Sequence, residues 1–75
     1  MGQMAWLYGR SKTLRILHLK VGNSGWRPYT FFDEYAVPDY KMEGVSKGWA
    51  TYHKLKQAGW MLVETAVAEK EHRNL

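Results

Sequence analysis

The absence of cysteine is the feature that most restricts how this chain folds, because the chain has only 75 residues. A protein of this length buries only about 60% of the surface that its unfolded chain exposes. Without thiols it has no disulfide to compensate, no cysteine-based zinc or iron–sulfur site and no cysteine nucleophile. We therefore expect a single domain built on one small apolar core, which the 45% of hydrophobic residues supply.

Short extended segments are predicted in the first half of the chain. Residues 5–10 and 13–21 are rich in aromatic, aliphatic and β-branched side chains, and the second segment ends at a Gly-Asn-Ser-Gly loop. Residues 13–21 carry aliphatic side chains on both faces, which indicates a bulge or partial cover of the second face. A third extended segment is predicted at residues 29–35. It follows Pro28, and proline disfavours helix in the residue before it.

A helix follows, because apolar residues recur at spacings of three and four. These residues share one side of the helix: Met42, Val45, Trp49, Tyr52 and Leu55. The helix is predicted from about residue 47 to residue 58 and ends at Gly59, where a left-handed conformation costs glycine nothing. Ser46 is favoured as its N-cap, and Asp39 is the alternative start.

Alternation then predicts a final strand at residues 60–67, and residues 69–75 are expected to fray. The predicted order is β-β-β-α-β, an α+β fold in which a small antiparallel sheet of three to four strands carries one helix on one face. One helix cannot cover both faces of such a sheet. The other face is therefore expected to meet solvent, a partner or a second copy of the chain, and a homodimer through that face or an edge strand is possible.

The segment Leu-Lys-Gln-Ala-Gly-Trp-Met-Leu-Val at residues 55–63 runs from the predicted helix into the predicted final strand. It resembles the end of a group of small uncharacterised bacterial domains, in which a helix passes through a Gly-Trp-Glu-Leu-Val turn into the last strand. Met61 stands where that pattern has glutamate. The resemblance covers nine residues of the chain and implies the same helix-to-strand geometry. It implies no site, because those domains have no assigned activity.

The sequence contains no arrangement typical of catalysis. The three histidines, His18, His53 and His72, have no metal-ligand spacing. Asp33 and Glu34 are adjacent, and on a strand they would point to opposite faces rather than converge on one substrate. The serines lie in turn or cap contexts, and the glycine-rich loop lacks the lysine and helix of a phosphate-binding loop. We therefore expect no enzyme activity, no cofactor and no metal.

Charge is spread unevenly along the chain. Residues 1–32 contain five basic residues and no acidic residue, whereas residues 33–75 contain six basic residues and all seven acidic ones. Such an asymmetry favours docking of the basic part on an acidic partner. Aromatic residues lie in the same basic stretch, and rings beside arginine and lysine are what single-stranded nucleic-acid binding uses. Of the pair Phe31 and Phe32, one is expected in the core and the other outside.

We therefore predict a non-enzymatic basic binding module, with single-stranded nucleic acid slightly favoured as its partner. The alternative is a protein interaction module, an adaptor or inhibitor, that docks an acidic protein through the uncovered sheet face. No apolar run approaches the ~20 residues of a membrane helix, and residues 1–7 show no signal peptide, so a cytoplasmic location without a membrane partner is expected.

Six residues are predicted to form the binding site. Arg10, Lys12, Arg15 and Lys20 are expected to contact phosphate or carboxylate groups, and Trp26 with Arg27 is expected to stack on a base. Arg15 and Lys20 lie on opposite strand faces, so at most one of them belongs to a single flat site. Trp26, in a glycine-rich loop, is the aromatic residue most expected to be exposed.

Overall fold

The computed structural model describes residues 2–9, 14–39 and 46–73. Its element order confirms the α+β class, with five strands and two helices in the described ranges. The elements are β1 (Gln3–Tyr8), β2 (Arg15–Lys20), β3 (Arg27–Pro28), a 3₁₀ turn (Tyr29–Phe31), β4 (Ser46–Lys47), α1 (Trp49–Gln57), β5 (Met61–Leu62) and α2 (Thr65–Arg73).

The strands form one mixed sheet in the order β3-β2-β1-β5, with β4 also paired to β2. β1 and β2 pair antiparallel, from Gln3 opposite Lys20 to Tyr8 opposite Arg15. β3 is antiparallel to β2, whereas β4 is parallel to β2 and β5 is parallel to β1. Parallel pairing requires a connection that crosses back over the sheet, and α1 lies in the connection that precedes β5.

α1 packs on one face of the sheet and forms the larger core there. Leu55 of α1 is buried against Met4 of β1 and against Leu17 and Leu19 of β2. The helix ends close to the predicted boundary, where Gly59 takes a φ of 97° and the Trp60 amide donates to the Leu55 carbonyl at 3.0 Å. This turn brings the Trp60 ring back into the same core, where it is 6% exposed.

The start of α1 is fixed by a carboxylate from outside the helix. Gly48, rather than Ser46, is the N-cap residue, and it offers no side chain to the free helix amides. Asp39 supplies the acceptors instead, with Oδ2 accepting from the Gly48 amide at 3.0 Å and Oδ1 from the Ala50 amide at 3.3 Å. Burial, and the Asp39 carboxylate that accepts its hydroxyl at 2.9 Å, raise the pKa of Tyr29 to about 12.

Two strand predictions are wrong, in both cases because the segment makes local hydrogen bonds. Residues 29–35 form the 3₁₀ turn and a second turn, in which the Tyr35 and Ala36 amides both donate to the Phe32 carbonyl at 2.9 Å. In the predicted strand 60–67, only Met61–Leu62 is extended, and α2 begins at Thr65.

The second face of the sheet is covered by α2, which also corrects the expectation of a frayed tail. Residues 69–73 belong to this helix. Ala68 of α2 is fully buried in a second cluster with Ala5 and Leu7 of β1 and with Trp26. The prediction of an uncovered face is therefore wrong, and α2 supplies the partial cover that the aliphatic pattern of β2 indicated. None of the described helices is long and apolar enough to cross a membrane.

Candidate functional site

The structure places four of the six predicted site residues, since Arg10 and Lys12 lie outside the described residues. The prediction that Trp26 is exposed is wrong. Its side chain is 4% exposed and packs with the cluster beneath α2. Its indole Nε1 donates to Glu71 Oε2 at 3.1 Å, so its polar atom is satisfied inside the protein. In this conformation Trp26 cannot stack on a base.

Lys20 contacts the same carboxylate oxygen as Trp26. Its Nζ lies 2.8 Å from Glu71 Oε2 and 5.8 Å from the centre of the Trp26 ring. The hydrogen bond from Lys20, and then the one from Trp26, hold the pKa of the Glu71 carboxyl below its ordinary value. Two predicted binding residues therefore form one site for a carboxylate, and α2 of the same chain occupies it.

Arg15 is also engaged by α2, although alternation places it on the other face from Lys20. Its guanidinium lies 4.8 Å from the centre of the Tyr8 ring and donates to Thr65 Oγ1 at 3.3 Å. The Thr65 hydroxyl in turn donates to the Trp6 carbonyl at 3.1 Å. Among the four described site residues, only Arg27 is exposed.

Two histidines that lie 54 residues apart in the sequence contact each other where α2 packs on β2. His18 of β2 is 2% exposed, and its ring centre lies 5.8 Å from that of His72. His18 Nδ1 lies 2.8 Å from the Ile16 carbonyl oxygen, so Nδ1 carries the proton and donates. Burial, opposed by that hydrogen bond and assisted by His72, lowers the pKa of His18 below 6.5. No group of three potential metal ligands occurs among the described residues.

Exposed basic side chains also lie on and just before α1, on the other side of the sheet from α2. Four basic or imidazole side chains on α1 and just before it are exposed, and we call them the basic surface: Lys47, His53, Lys54 and Lys56. No acidic residue occurs from Ser46 to Val63. The sequence analysis did not select these residues, because they belong to the half of the chain whose net charge is slightly negative. The sequence feature that could have identified the basic surface is the run from residue 46 to residue 63, which contains no acidic residue.

A shallow depression of about 420 Å³ lies beside Lys20 at the ends of β1, β2 and β5. Six residues line it, of which one is charged and three are glycines: Gly2, Gln3, Lys20, Gly22, Gly59 and Met61. The charge of Lys20 is already paired with Glu71. The lining thus provides no pair of titratable groups for acid–base chemistry.

No family model, no curated protein and no solved structure matches the chain. The resemblance of residues 55–63 to small bacterial domains therefore stays a prediction.

Proposed function

We propose that this protein is a non-enzymatic binding module for single-stranded nucleic acid, acting in the cytoplasm. The observation that carries the proposal is the basic surface, where Lys47, His53, Lys54 and Lys56 are exposed within a stretch that contains no acid. Exposed cations on and just before one helix attract a polyanion and release its counterions on binding.

The contrast with α2 supports this assignment. On the α2 side, Lys20 is paired with Glu71 and Lys70 lies beside Glu69 and Glu71 in the sequence. The charge of Lys20 is therefore balanced on that side, whereas no ion pair to Lys47, Lys54 or Lys56 occurs among the described residues. The module accordingly uses α1, rather than the basic strands selected from the sequence.

Exposed aromatic area supports nucleic acid as the polyanion. Phe31 is 66% exposed, while Phe32 packs against the core, as expected of one member of the pair. Arg27, four residues before Phe31, is exposed on β3. A base that stacks on one such ring gains about 1–3 kcal/mol, so Phe31 takes over the role that the sequence analysis gave to Trp26.

The alternative of an acidic protein partner loses its predicted docking surface, since α2 covers the second sheet face. The edge strand β5 is the remaining route to a protein partner or a homodimer, with Met61 65% exposed and Leu62 41% exposed.

The test is a titration of the protein into a fluorescein-labelled oligothymidine, followed by anisotropy at about 50 and 200 mM salt. Three phosphate contacts predict an affinity about tenfold or more weaker at the higher salt. The double substitution Lys54→Gln and Lys56→Gln keeps the helix-forming side-chain length and removes two of these contacts. We expect it to weaken binding at low salt and to reduce the salt dependence.

Lys70→Gln is the control, because Lys70 is also an exposed lysine, on the other helix. It should leave both the affinity and the salt dependence unchanged. Absence of binding at 50 mM salt would overturn the nucleic-acid proposal. Binding that Lys54→Gln with Lys56→Gln leaves unchanged would overturn the basic surface as its site.

A further inference from the structure

α2 is held on the sheet mainly by polar contacts. Ala68 is the one apolar residue of this helix that is fully buried, while Val67 is 49% exposed. The other contacts are the hydrogen bonds of Thr65, those that Glu71 accepts from Lys20 and Trp26, and the ring contact of His72 with His18. Because little apolar area holds α2, its docking depends on the charge state of these groups.

His18 is the buried member of the histidine pair, at 2% exposed, whereas His72 is exposed. On the sheet face that His18 shares with α2, the charged side chain of β2 is Lys20, since Arg15 lies on the opposite face, and β1 contributes no charged side chain. The charged residues of α2 that precede His72 are Glu69, Lys70 and Glu71. Arg27 of β3 is next to Pro28, which pairs with His18. Glu71 is already engaged by Lys20 and Trp26. A proton added to His18 would therefore sit in a buried site beside a second imidazole, with no carboxylate in hydrogen-bond contact with its ring.

We propose that α2 is an acid-released latch, which covers the sheet while the buried His18 is neutral and leaves it when His18 becomes charged. Release of α2 separates the two rings and lets water reach His18. It also uncovers the indole of Trp26, the ammonium of Lys20 and the apolar side chains of Ala5 and Leu7. The latch is independent of the function proposed for the basic surface.

The direction in which the docking of α2 changes with pH follows from the pKa shifts of His18 and Glu71. The pKa of His18 is lowered in the folded protein, so its contribution to docking is present above its ordinary pKa of 6.5 and is lost as the pH falls through the lower folded value. The pKa of Glu71 is lowered from 4.5, so its hydrogen bonds persist until the solution is more acidic. The loss of docking caused by His18 therefore begins at a higher pH than any loss caused by Glu71.

The test is amide hydrogen exchange between pH 7.5 and pH 5, with rates corrected for the pH dependence of intrinsic exchange. We expect the protection of the amides of residues 68–73 to fall about tenfold or more across this range, while the amides of α1 keep theirs. The Nε1 proton of Trp26 should lose protection together with α2, because it donates to Glu71.

His72→Gln replaces the imidazole beside His18 and should only weaken the pH dependence of α2, because the burial of His18, the larger cause of its lowered pKa, remains. His53→Gln is the matched control, since His53 is an exposed histidine on α1, and it should preserve the wild-type profile. Protection of α2 that stays constant down to pH 5 would overturn the proposal. So would a parallel loss of protection in α1, which would show acid unfolding of the whole chain.

Discussion

At the start of α1, Gly48 adopts a φ of 110° and packs directly against β2. A Cβ atom at this position would lie 2.6 Å from Leu17 Cβ and 3.3 Å from two ring atoms of Tyr29. Both neighbours belong to the main core, so they cannot move without repacking it. The position therefore requires glycine for its backbone conformation and for its lack of a side chain.

We expect Gly48→Ala to lower the free energy of unfolding by about 2–4 kcal/mol, from the left-handed backbone together with the overpacked core. Gly22→Ala is the control, because Gly22 has a φ of 58° and an added Cβ would meet nothing within 4 Å. It should cost only about 1 kcal/mol, for the backbone alone. Urea denaturation of both variants measures the difference. Equal losses would show that the contact with Leu17 does not restrict the site.

At the scale of single elements, α1 depends on a residue nine positions before its N-cap. Asp39 accepts the amides of Gly48 and Ala50 and the hydroxyl of Tyr29. We expect Asp39→Ala to reduce the free energy of unfolding by about 1–2 kcal/mol, as for the loss of an N-cap. Asp33→Ala removes an exposed carboxylate that belongs to the same loop and should change stability by less than about 0.5 kcal/mol. Thermal unfolding distinguishes the two, and equal effects would contradict the capping role.

The elements differ in how well the sequence predicts them. Among the described residues, the predicted strands 5–10 and 13–21 and the predicted helix 47–58 were assigned correctly in type, as β1, β2 and α1. The strands are rich in aromatic, aliphatic and β-branched residues, and the helix has apolar residues at spacings of three and four. Residues 29–35 also carry apolar side chains, but they reach the core from tight turns whose hydrogen bonds are local. Residues 65–73 read as the end of a strand and a polar tail, because Ala68 is their one fully buried apolar residue. The helix α2 buries so little apolar area that its sequence shows no helical pattern of apolar residues.

At the scale of the whole molecule, the sheet lies between two helices. Met4 and Ala5 are neighbours on β1, yet Met4 belongs to the core under α1 and Ala5 to the cluster under α2. In that cluster the buried Ala5 and Ala68 have small side chains, which lets α2 approach the sheet closely.

We expect Ala68→Leu to overpack this layer, to cost about 1–3 kcal/mol and to increase the accessibility of Trp26 to acrylamide. Ala66→Leu, at an exposed position of the same helix, should leave stability within about 0.5 kcal/mol of the wild type. Denaturation and tryptophan quenching test both variants. If Ala66→Leu destabilised the protein as much as Ala68→Leu, the proposed packing of α2 would be wrong.

The sequence by itself determined the α+β class, the strands β1 and β2 and α1, because these follow from the residue content and apolar spacing of short segments. It also showed which parts of the chain carry unbalanced charge. Only the tertiary structure decided which of the described basic side chains are exposed and which are paired within the chain. Lys20 and Trp26 meet Glu71, and His18 meets His72, across about 50 residues of chain. Such contacts depend on how α2 packs on the sheet, which no local pattern encodes, so residues predicted to bind a partner are instead bound by the chain itself.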